Sequence, residues 1–96
     1  MNLMQGIAKI NDQTTEFFRN GGRYSSIAEA AYEPDRLLKL AGFPVVDLEW
    51  YTEASIKPMR AWCEENIGSM LYTHIHGSRW VFEHERDAIM FTLKWA

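Results

Sequence analysis

The chain has 96 residues, a formal net charge of −3 and 47% apolar side chains, enough for one domain with a dense core. Its scattered Lys and Arg form no basic stripe for nucleic acid. No stretch approaches the roughly 20 apolar residues that span a bilayer, and the single cysteine, Cys63, has no partner for an internal disulfide. The first ten residues have neither the basic start nor the continuous apolar run of a signal peptide. These features together predict a thiol-reduced, cytoplasmic setting.

Residues 1–43 read as a helical arm. Asn11 or Asp12 caps a short helix through Phe17 and Phe18, stopped by Asn20-Gly21-Gly22; the pattern of residues 1–10 is ambiguous. Ser26 and Glu29 match a capping box. That helix is expected to break near Glu33-Pro34, with Pro34 in the first turn of a new helix over 35–41 closed by Gly42. An arm carrying Phe17, Phe18, Tyr24, Tyr32 and the leucines Leu37, Leu38 and Leu40 holds too much apolar surface to stay free in water.

Residues 44–96 alternate strand and helix. Val46, Leu48 and Trp50 alternate with Asp47, Glu49 and Tyr51, as a half-buried strand does. Ser55 then caps a helix to Asn66, with Met59, Trp62 and Cys63 on one face and Gly68 as its stop. Two alternating runs, 71–76 and 79–84, flank Gly77-Ser78, a two-residue loop that favours a type II′ hairpin. A regular ladder from that turn pairs His76 with Arg79, Ile75 with Trp80, His74 with Val81, Thr73 with Phe82 and Tyr72 with Glu83. Ile75, Thr73, Trp80 and Phe82 then face the core, and Tyr72, His74, His76, Arg79, Val81 and Glu83 share the other face. A final helix over 85–96 is favoured over a short strand. The predicted class is α+β: a three-stranded sheet in strand-helix-strand-strand-helix order, half of a ferredoxin-like fold, with the arm in front. The first helix is expected to be a right-handed crossover joining parallel, adjacent or nearly adjacent strands.

Phe82, Asp87, Ala88, Phe91, Leu93 and Trp95 give the C-terminal third a Phe…Asp-Ala-x-x-Phe-x-Leu-x-Trp pattern. This ending resembles that of small uncharacterised proteins of tailed bacteriophages, and Trp62-Cys63 in a helix closed by Gly68 is similar too. The resemblance implies a phage setting, and so a host cytoplasm, and implies no catalytic residues.

His74 and His76 form an H-x-H pair; on a regular strand both rings share a face, where Glu83 would make a third N/O ligand for a transition metal. The plain alternative is two ordinary histidines on a polar sheet face, and no cofactor is expected. Cys63, beside Trp62 on an apolar helix side, reads as a small buried hydrophobe and not as a nucleophile. Tyr51, Tyr72, His74, His76 and Arg79 resemble a base-stacking platform, but Asp47, Glu49 and Glu83 on the same face repel phosphate, so nucleic acid is not an expected partner. The same five residues are the expected contacts for a protein partner, since Tyr and Arg are frequent hot spots. The reading is therefore a non-catalytic, phage-type accessory protein that binds another protein or a second copy of itself. The alternatives are a structural virion or assembly component that exchanges arms, and a small metal-binding protein using His74 and His76.

Overall fold

The structure is a computed structural model that describes residues 1–48 and 52–96, with the side chains of all of these except residues 27–29, 31, 32 and 76. The element order is α1 (Leu3–Arg19), α2 (Ile27–Leu40), β1 (Val45–Asp47), α3 (Glu53–Asn66), β2 (Tyr72–His76), β3 (Arg79–Phe82) and α4 (Glu85–Trp95). The α+β class and the strand-helix-strand-strand-helix order of residues 44–96 are as the sequence predicts. The continuation of β1 toward Trp50 and Tyr51 lies outside the described residues.

The sheet order is β1-β3-β2, with both pairings antiparallel. β1 and β2 therefore run parallel to each other, as expected of a crossover, but β3 is inserted between them. No described non-glycine residue has a positive φ, and Gly77 has φ 54°. A positive φ at the first loop residue alone is the type II′ signature.

The hairpin register corrects the regular ladder. His76 pairs with Arg79, but then His74 pairs with Trp80, Thr73 with Val81 and Tyr72 with Phe82, with a bulge between His74 and His76. One extra residue moves every side chain beyond it to the opposite face. Tyr72 and His74 join Trp80 and Phe82, while Thr73 joins Val81.

Both sheet faces are covered. On one, Trp80, Phe82 and Tyr72 pack with Met59 and Cys63 of α3 and with Ala88 and Phe91 of α4. On the other, Val81 is buried with Leu3 and Ile10 of α1, Leu38 of α2 and Phe43, and Ile75 and Val45 pack at the margin. The arm thus closes the second face of its own sheet.

The arm also has fewer breaks than its sequence suggests. α1 is one helix of 17 residues opened by Asn2, whose side chain accepts from the Gln5 N–H at 2.8 Å while Gln5 Oε1 accepts from the Asn2 N–H at 2.8 Å. Gly6 belongs in this helix because α1 approaches Phe43 there: a Cβ at Gly6 would lie 2.8 Å from that ring. α2 runs unbroken through Pro34. The proline forfeits one backbone hydrogen bond, and the buried Asp35 and Leu38 that follow hold the helix on the sheet. α3 begins at Glu53 with Thr52 as its cap. Ser55, expected as the cap, sits one turn in; its Oγ accepts from the Thr52 N–H at 3.0 Å and donates to the Thr52 carbonyl at 2.7 Å. No helix among the described residues is long and apolar enough to cross a membrane.

Candidate interaction surface

The five expected contact residues do not form one surface. Tyr51 lies outside the described residues, as does the side chain of His76. Tyr72 is buried, its ring 6.2 Å from that of Trp80, and its hydroxyl donates to Glu64 Oε1 at 2.5 Å. Burial, and then the Glu64 carboxylate that accepts this proton, raise the Tyr72 phenol well above its ordinary value. The His74 ring lies 4.4 Å from the Trp80 ring, with Nε2 2.7 Å from the Gly77 carbonyl oxygen. A carbonyl only accepts, so Nε2 carries the proton and Nδ1, 3.4 Å from Arg60 Nη2, faces a donor. Arg79 points to the opposite face, toward α2.

Two of the expected metal ligands, His74 and Glu83, are separated in the same way. Glu83 lies on the α1 face, where its Oε1 accepts the Leu3 N–H at 2.7 Å and so satisfies a free amide at the start of α1. His74 lies on the α3 face, beside Trp80 and Arg60. Among the described residues, no group of three His, Cys, Asp or Glu is placed to hold a metal ion. Cys63 is fully buried, and burial pushes its thiol up to about 12.

A polar cluster sits where α2 meets the β1 edge. Arg79 Nη1 donates to Asp35 Oδ2 at 2.9 Å and Arg79 Nε to Asp47 Oδ2 at 3.3 Å, while Ser78 donates to Asp47 Oδ1 at 2.6 Å. Arg36 and Lys39 complete the groove over Val45 and Asp47.

The more exposed features are apolar. At the C-terminal end of α1, Phe17 and Phe18 are 39% and 49% exposed. With Tyr24 they form an interlocked triad whose three ring pairs lie 5.3–5.5 Å apart. The turn that makes this possible is built of glycines: Gly21 has φ 83°, and a Cβ at Gly22 would lie 2.5 Å from the Phe17 ring. Exposed Arg23 adjoins the triad, and Gln13, Thr14, Glu33 and Leu37 line a shallow groove at its foot with Phe17 and Tyr24. The pair of adjacent aromatics before Asn-Gly-Gly is the signal in the sequence that marks this tip.

A second apolar strip lies on α4, where Ile89 and Leu93 are 54% and 82% exposed. With Pro44 and Val45 they border a groove along the outer edge of β1. Of the residues that carry the phage resemblance, Phe82, Asp87, Ala88 and Phe91 are buried and Trp95 packs on the core. Leu93 alone is fully outside.

Comparison with protein-family models, curated proteins and solved structures finds no match.

Proposed function

We propose that this chain is a non-catalytic, phage-type accessory protein that acts by binding another protein, with the aromatic tip of α1 as the contact. The observation that supports this reading is the triad of Phe17, Phe18 and Tyr24. Phe17 and Phe18 stay exposed while held in place by each other, by the half-buried Tyr24 ring and by a glycine turn. Aromatic anchors that are already ordered lose little entropy on binding, and they are the side chains that dominate binding energy. The partner chemistry that fits is an apolar pocket with a polar rim that carries an acid for Arg23, since Arg23 adjoins the rings while Arg19 is held by Glu16. The phage setting rests on the C-terminal resemblance.

The test is capture of a single, mass-identified partner by immobilised wild-type protein and by a Phe17→Ala/Phe18→Ala variant. Retention by the wild type and loss in the variant, with unchanged far-ultraviolet circular dichroism, is the expected result. Equal retention by both, or turnover of a small molecule by the pure protein, overturns the reading.

A further inference from the structure

We propose that two copies of this chain pair through the outer edge of β1, joining their sheets into one of six strands about a two-fold axis. The proposal concerns a surface remote in function from the aromatic tip and does not rest on it.

The edge is built for pairing. β1 ends the sheet, and among the described residues no strand lies on its far side. The Leu48 N–H bonds to the Ser78 carbonyl at 2.9 Å and the Phe82 N–H to the Pro44 carbonyl at 3.0 Å. Residues 44, 46 and 48 therefore direct their backbone groups to β3. By the alternation of a strand, Val45 and Asp47 direct theirs outward. An antiparallel second β1 centred on Val46 sets Val45 opposite the other copy's Asp47, and the reverse. Each such pair exchanges two hydrogen bonds, so all the outward groups of both strands are used.

The flanks are self-complementary, as a two-fold interface requires. A two-fold axis perpendicular to the sheet keeps each face on its own side. On the α2 side, the second copy's Asp47, which accepts from Ser78 and Arg79 of its own chain, comes beside Lys39, and beside Arg36, which also holds Glu33, where both line the groove over β1. On the other side, α4 packs across β1 and β3. With strands roughly 4.8 Å apart, two helices so placed lie roughly 10 Å from each other, the separation of helices in contact. They run antiparallel, so the exposed strips of Ile89 and Leu93 meet. Glu85 in the first turn of one helix then faces Lys94 in the last turn of the other. Leu93, 82% exposed in the single chain, becomes the centre of an apolar seam.

The experiment is mass measurement in solution by light scattering on the full chain, alongside Leu93→Asp and amide hydrogen exchange. The wild type is expected at twice the 11.2 kDa chain mass. Leu93→Asp, at an exposed position that folding does not need, is expected at the single-chain mass. The Val45 and Asp47 amides should exchange at least tenfold faster in the variant, while the Val46 amide, bonded to β3, should not. A wild type at the single-chain mass overturns the proposal and leaves the edge for a strand of another protein. A dimer that survives Leu93→Asp with the Val45 and Asp47 amides still open overturns it as well. Neither result bears on partner capture by the aromatic tip.

Discussion

Arg79 reaches from the middle strand to Asp35 of α2, its Nη1 donating to Oδ2 at 2.9 Å. This bond ties the arm to the sheet at the rim of the core that Leu38 and Val81 share. Asp35 is only 3% exposed, and its Oδ1 has no hydrogen-bond partner among the described residues. Its carboxylate therefore depends on the guanidinium more than the guanidinium depends on it, because Arg79 also holds Asp47.

Removing the cation should accordingly cost more than neutralising the acid. Arg79→Met is expected to lose about 1–3 kcal/mol, the penalty for a buried polar group left without its partner. Partial hydration of Arg79 keeps the loss below that of a fully buried pair. Asp35→Asn should lose less, since the amide needs no counter-charge, and Asp35→Leu/Arg79→Met should recover part of the single-variant loss. Urea unfolding of the four proteins measures this order.

Phe91 predicts a larger effect. Its ring lies 5.1 Å from both Trp80 and Phe82 and 6.1 Å from Trp62, and it is fully buried. Phe91→Ala should cost about 3–5 kcal/mol through lost contact and the cavity left behind. Leu93→Asp, two residues on but exposed, should cost about 1 kcal/mol or less in the single chain, through an acid placed in the last turn of α4. Thermal unfolding of the two variants separates the core side of α4 from its outer side.

Alkaline pH should unfold the protein through two groups. The folded Cys63 thiol is held neutral up to about 12, against 9.0 in an open chain, and the Tyr72 phenol is raised in the same direction from 10.0. Folding keeps the proton that the unfolded chain gives up, so stability is unaffected below pH 9 and falls as pH rises from 9 toward 12. The slope approaches about 1.4 kcal/mol per pH unit for each group once its unfolded form ionises. Tyr72→Phe should flatten the curve above pH 10, and native Cys63 should resist alkylation at pH 8 until the chain is unfolded. Denaturant titrations across this pH range give both readings.

The elements that the sequence made legible are those fixed by local chemistry. Gly77-Ser78 specified its turn type, Gly68 ended α3, and the acidic start of 85–95 opened a helix. What it concealed is decided by contacts far along the chain. A regular ladder beyond His76 sets a polar face against a core face, but the arm covers the supposed polar face and removes that distinction. A bulge then lets the larger Tyr72 ring, instead of Thr73, fill the space beside Trp80, a greater burial than the one ladder bond it forfeits. The regular ladder puts Tyr72, His74 and Arg79 on one face, and with the bulge Tyr72 and His74 separate from Arg79. Gly6 left the start of α1 ambiguous because its value lies in a close approach to Phe43, 37 residues away.

Gly22 offers a test of the aromatic tip that spares the rings themselves. Its carbon is so close to Phe17 that an added Cβ would lie 2.5–2.6 Å from three ring atoms. Its own φ is not in the left-handed region, so alanine there strains no backbone. The Phe17 ring is half in solvent and free to swing away, so Gly22→Ala should leave the fold and its melting temperature close to wild type. The cost falls on the triad: with Phe17 displaced, the contact with Tyr24 at 5.3 Å is lost and the rings are no longer ordered before binding. Partner retention should fall about tenfold, the effect of losing roughly 1.4 kcal/mol, while the chemical shifts of the Phe17 and Tyr24 rings move toward those of free side chains. Unchanged retention alongside moved ring shifts would show that the order of the tip plays no part in binding.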